Sequence, residues 1–253
     1  MNETKFDGMG KIYAKFRPTY PQAFIDYLCC DASINRDSVI ADIGSGTGIL
    51  TRQLLEIGKN IFAVEPNDDM RAIAEVDLSN YNNFIPVNGT AENTTLDDES
   101  IDFITVAQAF HWFDRARFKT ECSRILKPEG KVILVWNSRD LSSEVVKDAD
   151  EINRKYCPNF KGISGGMRGA DAEDKNYFSD FFASNYETMV FQNDLTFDLG
   201  GFIGRALSAS YALKENDGNY PAYIAELTES FNKHAINGKM IMPNITKSYV
   251  GRV

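Results

Sequence analysis

Val39-Ile40-Ala41-Asp42-Ile43-Gly44-Ser45-Gly46-Thr47-Gly48-Ile49-Leu50-Thr51 reads as a strand, a glycine turn and the start of a helix within thirteen residues. Val39 to Ile43 is an apolar, β-rich run of the kind a parallel strand buried on both faces requires. Three alternate glycines follow, where a side chain would block a ligand lying against the backbone, and the amides opening the next helix face that ligand. The spacing is G-x-G-x-G, preceded by Asp42, and it lacks the closing x-x-G of the dinucleotide fingerprint.

Two downstream stretches give the turn a context. Asn60 to Val64 is a second apolar strand that ends at Glu65, roughly twenty residues beyond the glycines, where a nucleoside-binding sheet places an acid for ribose hydroxyls. A shorter strand, Phe84 to Val87, runs into Asn88-Gly89-Thr90-Ala91-Glu92. The acidic turn Leu96-Asp97-Asp98-Glu99-Ser100 leads into the apolar strand Ile101 to Val106, followed by Ala107-Gln108-Ala109-Phe110-His111-Trp112-Phe113. Helices are expected over 51–58, 70–79 and 115–126, and Lys127-Pro128-Glu129-Gly130 is a stop signal before a fifth strand over 131–137. Strands alternating with helices predict an α/β fold whose parallel sheet is covered on both faces, with ligands outside the carboxyl ends of the strands.

Around this core, Pro21 to Cys30 reads as a helix, 187–197 and 244–253 as strands, and 199–213 and 220–236 as helical material between them. The segment 141–182 and these helices are expected to supply walls for a second ligand. The chain is therefore expected to be a single domain, with an arm and helix over 1–36, a cofactor-binding core over 37–138, and cover insertions with closing strands over 139–253. Its 253 residues, 43% hydrophobic and 25% charged, are ample for one core with a cover. A net charge of −9 disfavours a general electrostatic footprint for nucleic acid and favours a small-molecule partner. No basic, apolar signal segment and no apolar run of membrane length is present, so a cytoplasmic location without membrane insertion is expected. Cys29, Cys30, Cys122 and Cys157 show no repeated C-x-x-C spacing, and with two histidines no metal site is expected. The glycines of 162–169 lack a preceding strand and read as a loop; oligomeric state leaves no signal.

Asp42-x-Gly44-x-Gly46-x-Gly48 resembles the first motif of the class I S-adenosylmethionine-dependent methyltransferases. Glu65, the Thr90 loop and the turn Ile125 to Val132 resemble later parts of the same pattern. The N-terminal stretch Tyr13-Ala14-Lys15-Phe16-Arg17-Pro18-Thr19-Tyr20-Pro21 and the run 109–113 resemble the methyltransferase type 11 group that includes trans-aconitate methyltransferase-like proteins. The resemblance implies a Rossmann-like, doubly wound, seven-stranded and mostly parallel sheet with an antiparallel final strand and helical cover insertions. It implies S-adenosylmethionine as cofactor and S-adenosylhomocysteine as product.

Carried over residue by residue, the resemblance assigns Gly44, Ser45, Gly46 and Gly48 to the turn along the methionine portion. Asp42 either holds the ligand's ammonium or fastens the loop. Glu65 takes the ribose, with Pro66, Asn67 and Met70 beside the adenosine. Thr90, Ala91 and Glu92 face the adenine, although many relatives carry Asp at the place of Thr90. Tyr13 and Arg17 approach the cofactor carboxylate or the acceptor, and Gln108 ends the fourth strand beside the cofactor. His111 and Trp112 are the acceptor-side candidates, His111 serving as a base, orienting the acceptor, or packing beside Trp112. The implied reaction moves a methyl group to a small-molecule acceptor, a carboxylate or hydroxyl among them, by in-line displacement, with proximity and exclusion of water as the protein's main contribution. The alternatives are an NAD(P)-dependent oxidoreductase and a non-catalytic S-adenosylmethionine-binding or interaction module.

Overall fold

The structure is a computed structural model that describes residues 17–160, 162, 177–183, 185–209 and 211–253. Tyr13 and residues 163–169 of the glycine-rich loop lie outside the described residues.

Nine strands and seven α-helices are described, in the order α1 (Gln22–Cys30), β1 (Val39–Ile43), α2 (Ile49–Leu54), β2 (Asn60–Val64), α3 (Asp68–Asp77), β3 (Phe84–Val87), β4 (Ile101–Ala107), α4 (Arg115–Ile125), β5 (Leu126–Arg139), α5 (Glu144–Tyr156), β6 (Glu187–Gln192), β7 (Leu195–Phe197), α6 (Leu199–Leu207), α7 (Tyr220–His234), β8 (Met240–Met242) and β9 (Asn244–Gly251). Seven strands form one sheet in the order β3-β2-β1-β4-β5-β9-β6. Strands β1 to β5 pair in parallel, and β9 runs antiparallel to both β5 and β6. The expected mostly parallel sheet with an antiparallel closing strand is what forms.

Alternation along the strands sorts the core onto two faces. Ile104, Val106, Leu134 and Trp136 face a cluster with Phe110, Phe118, Phe181 and Tyr249, whereas Phe103, Ile133, Val135 and Val250 face Phe24 and Leu28 of α1 and Leu54 of α2. Both faces are therefore dry, which is why these strands read as continuous apolar runs. A third cluster, separate from the sheet, packs Val146 and Ile152 of α5 against Phe202, Tyr223, Leu227 and Phe231 of α6 and α7 and Met240 and Met242 of β8. That cluster is the cover. Each fully buried Leu or Phe in such clusters contributes roughly 1.5–3 kcal/mol of transfer free energy.

Several boundaries differ from expectation. Helix α2 occupies Ile49–Leu54 rather than 51–58, because the left-handed Gly48 starts it directly after the loop. Helix α3 begins at Asp68, with the Asn67 side chain accepting the Met70 N–H at 2.9 Å as its N-cap and Asp68 and Asp69 in its first turn. Strand β5 runs through Pro128 instead of beginning at Lys131, and its register against β4 shifts between Ile101 and Phe103 to take up the extra residues. The 187–197 stretch divides into β6 in the main sheet and β7, which pairs with β8 in a two-stranded sheet. Helix α5 lies within the stretch expected only to supply pocket walls.

Candidate cofactor site

Asp42, the glycine loop, Glu65, the Thr90 loop and Gln108 all lie at or just beyond the carboxyl ends of β1, β2, β3 and β4. The loop is tied to the end of β2 by two bonds, Gly44 N–H and Ser45 N–H to the Val64 carbonyl at 2.8 and 3.2 Å, and closes on itself through Gly48 N–H to the Ser45 carbonyl at 3.0 Å.

The three motif glycines share positive φ but have different surroundings. A Cβ on Gly44 (φ 67°) would stand 2.7 Å from the Ala109 Cβ, and one on Gly48 (φ 80°) 2.7 Å from the Leu78 Cδ1. These two are glycines because neighbouring elements press on them. At Gly46 (φ 59°) a Cβ would meet only the Met70 Sδ, at 3.7 Å. Of the three motif glycines, Gly46 is therefore the one whose Cβ position has no close contact. Beside it, the Ser45 and Thr47 hydroxyls are buried and have no hydrogen-bond partner among the described residues.

Asp42 is 1% exposed, and both of its carboxylate oxygens are engaged: Thr51 Oγ1 donates to Oδ2 at 2.6 Å and Thr105 Oγ1 to Oδ1 at 2.8 Å. It thereby fastens the end of β1 to α2 and β4, using side chains rather than the loop's backbone. Burial pushes its carboxyl up to about 6, against the opposing pull of those hydroxyls. Neither threonine carries a sequence signal for this pairing, since Thr105 lies 63 residues away.

Glu65 is likewise buried, and its Oε2 accepts the Gly46 N–H at 2.9 Å while Oε1 accepts the Asn67 N–H at 2.8 Å. Burial raises its carboxyl above the ordinary value; the two amides and the nearby Arg71 guanidinium oppose the rise. Arg71 also donates to the Glu65 carbonyl at 2.8 Å, which holds the strand end against α3. Pro66 lies in the turn between them, and Met70 is buried beneath Gly46.

On the third side, Thr90 and Asn93 bond each other's backbones at 3.0 and 3.2 Å and make a narrow turn around the buried Ala91. Glu92 accepts the Asp114 N–H at 2.8 Å, tying this turn to the N-cap of α4. Thr94 donates its N–H and hydroxyl to Glu121, at 2.8 and 2.6 Å. Burial pushes the Glu121 carboxyl up, but the Arg124 guanidinium and Thr94 outweigh it and hold it at about 2.

Gln108 closes the floor. It adopts φ 59°, a left-handed conformation that costs a non-glycine residue roughly 1–2 kcal/mol. The strain is held by Gln108 N–H to the Val135 carbonyl at 3.0 Å and by Nε2 to the Asn137 carbonyl at 3.1 Å. Asn137 is a hub: its Oδ1 accepts from Thr246 at 2.5 Å and Asn193 at 3.1 Å, and its Nδ2 donates to the Thr19 carbonyl at 3.3 Å. The arm is fixed again one residue later, where the Gln53 amide and the Tyr20 backbone bond reciprocally at 3.1 and 2.9 Å. Asn137, Gln53 and Asn193 are absent from the residues the motifs single out, because their partners come from distant segments.

Arg17 reaches across to the cover and donates to the Ser208 carbonyl at 3.2 Å. His111 and Trp112 lie on a short 3-10 turn, Phe110–Trp112, with ring centroids 4.5 Å apart. The same turn buries Phe110 and brings Phe113 against Gly44.

The surroundings fit S-adenosylmethionine on two independent observations: a cradle at Gly46 that a larger side chain would fill, and the unpartnered Ser45 and Thr47 hydroxyls beside it. Among the described residues, no group of three or more His, Cys, Asp or Glu is arranged to hold a metal ion, and no helix is long and apolar enough to cross a membrane.

Comparison with known proteins agrees with this geometry. Residues 41–134 match the family model described as a methyltransferase domain. An uncharacterized methyltransferase of Mycobacterium bovis is 41% identical over 140 residues, covering 55% of this chain and 55% of that protein. One from Schizosaccharomyces pombe is 33% identical over 144 residues, covering 56% of each. The chain thus spans about half the length of the curated relatives it matches. Among solved structures, a protein of Anaeromyxobacter dehalogenans assigned as a type II methyltransferase superposes with a TM-score of 0.64 at 20% identity, over 94% of this chain and 98% of that one. The YcgJ protein of Bacillus subtilis superposes with a TM-score of 0.57 at 17% identity, over 92% and 100%. At these identities the superpositions speak for the fold, and the matched segment contains the glycine loop, Glu65, the Thr90 loop and the 109–113 turn. Residues 41–134 are thus similar to a methyltransferase domain, held in a sheet with the fold of these solved structures.

Proposed function

We propose that this protein transfers a methyl group from S-adenosylmethionine to a small-molecule acceptor, a carboxylate or hydroxyl, by in-line displacement, releasing S-adenosylhomocysteine. The observation that carries the reading is the openness of Gly46 next to Glu65, in a loop whose other two glycines are closed by packing. When bound, the cofactor supplies a methyl group already activated on a sulfonium centre. The chain's own residues then have to bind, orient and exclude water.

Gly44, Ser45, Gly46 and Gly48 would line the methionine portion, with Asp42 holding their strand end in place. Glu65 would accept the ribose hydroxyl protons, flanked by Pro66, Asn67 and Met70. Thr90, Ala91 and Glu92 would read the adenine edge. Gln108 and Arg17 would bound the carboxylate end, together with Tyr13. His111 and Trp112 would face the acceptor. For a hydroxyl acceptor, His111 takes the proton as the oxygen attacks; a carboxylate is already ionised at neutral pH and needs no base.

Calorimetry with S-adenosylhomocysteine and with NAD tests the reading. Saturable binding of S-adenosylhomocysteine is expected, and binding of NAD with none of S-adenosylhomocysteine would overturn it. A screen with methyl-labelled S-adenosylmethionine against metabolite extracts, with heat-inactivated protein as control, would then identify the acceptor.

A further inference from the structure

The seam between the sheet and the cover holds a polar group that the cofactor site does not use. Arg139 is the last residue of β5, at the same carboxyl edge as Asn137, and strand alternation puts both on the face that carries Ile133 and Val135. Its register partner on β9 is Asn244, so the two side chains stand next to one another on that face. Asn244 is 4% exposed, and its Nδ2 has no hydrogen-bond partner among the described residues. Arg139 meets Asp150 of α5 through a single nitrogen at 3.2 Å, with both side chains about nine-tenths buried. The Arg154 charge also favours the ionised form of the same carboxylate. The Tyr211 hydroxyl, which with Arg139 lies within electrostatic reach of the Tyr223 hydroxyl, is also buried without a partner.

The chemistry of these groups points one way. A buried amide left unbonded costs roughly 1–3 kcal/mol, and the guanidinium beside it has more donors than the one nitrogen that meets Asp150. The unpartnered buried groups, the Asn244 amide and the Tyr211 hydroxyl, can each donate a hydrogen bond, and the neighbouring Arg139 guanidinium fork matches the two oxygens of a carboxylate. We propose that Arg139 and Asn244 form a carboxylate-binding subsite that orients the methyl acceptor at the seam between sheet and cover. The role as an acceptor site rests on the methyltransferase reading; the anion site itself does not.

Calorimetric titration of succinate, in the absence and presence of saturating S-adenosylhomocysteine, tests it. Succinate is expected to bind saturably, whereas the neutral succinamide and inorganic phosphate bind at least tenfold more weakly. Arg139→Gln combined with Asp150→Asn, which avoids leaving a buried carboxylate unpaired, should weaken succinate at least tenfold with S-adenosylhomocysteine affinity unchanged. Asn244→Ala, which leaves the ion pair intact, should weaken succinate about threefold to tenfold. Absence of succinate binding, equal binding of phosphate, or undiminished binding in the folded variants would overturn the subsite. Loss of S-adenosylhomocysteine binding in the wild type would instead overturn the methyltransferase reading, with the cofactor-free titration still deciding the subsite.

Discussion

Glu65 and Gly46 are joined directly: the carboxylate Oε2 accepts the Gly46 N–H at 2.9 Å, while Oε1 takes the Asn67 N–H at 2.8 Å. The strand-end acid is thus a brace for the glycine loop as well as the group proposed to take the ribose hydroxyls. Glu65→Gln keeps the volume but replaces one acceptor oxygen with an NH2 that must face a backbone donor. The expected result is a tenfold to hundredfold loss of S-adenosylhomocysteine affinity, about 1.5–3 kcal/mol, the usual worth of hydrogen bonds to a charged group. Titration calorimetry on the folded variant measures it, and unchanged affinity would remove Glu65 from the site.

The motif glycines should separate by what their substitution damages. Gly44→Ala and Gly48→Ala each drive a Cβ to 2.7 Å from a packed side-chain carbon, so both should lower stability by about 1–3 kcal/mol. Gly46→Val carries the same kind of backbone penalty, roughly 1–2 kcal/mol, but meets no comparable clash and instead fills the open space. It should fold and lose at least a hundredfold in cofactor affinity. Urea unfolding and calorimetry on the three variants give the comparison; intact binding by a folded Gly46→Val would place the ligand elsewhere.

Much of this arrangement is legible in the chain because it is local. A strand, an acid at its end and a turn of alternate glycines lie within a dozen residues, and the sheet's dry faces leave unmistakable runs such as Ile101 to Val106. What is not legible is held by distance. Asp42 finds Thr105 across 63 residues, and Asn137 gathers Thr19, Asn193 and Thr246 from three other segments. No local pattern announces either. Pro128 gives a stop signal that is true for α4 yet does not prevent β5 from pairing around it, because the shift between Ile101 and Phe103 absorbs the irregularity. Helix α5 does carry a signal in Val146, Ala149 and Ile152, three apart on one buried face, diluted by the charged residues between them.

Asp42 should make stability depend on pH. Its carboxyl is raised by burial from 3.8 to about 6, so the folded state holds its proton more tightly than the unfolded chain. The resulting stabilisation is fully present below about pH 4 and is lost as pH rises through about 6, a difference of roughly 3 kcal/mol from a shift of about two units. Relative to Asp42→Asn, which stays neutral and can still bond Thr51 and Thr105, the wild type should lose up to that amount between about pH 4 and pH 8. Urea unfolding of both proteins across this range measures the difference, and parallel curves would show that Asp42 is ionised without cost.

His111 offers a test of role rather than of stability. The 3-10 turn that carries it is fixed by Trp112 N–H to the Ala109 carbonyl at 2.9 Å and by the buried Phe110, so truncating the imidazole leaves the backbone anchored. Ala109 and Phe113 of the same segment press on Gly44, which ties the turn to the glycine loop. His111→Ala should therefore leave S-adenosylhomocysteine affinity within about twofold while lowering labelled-methyl transfer by roughly a hundredfold if the acceptor is a hydroxyl, the usual worth of a positioned general base. With a carboxylate acceptor the loss should be much smaller and independent of pH, because no proton has to leave before attack. The pH profile of transfer in wild type and variant separates the two: a limb in the wild-type profile that vanishes in the variant identifies a base, and undiminished turnover at every pH excludes His111 from the chemistry.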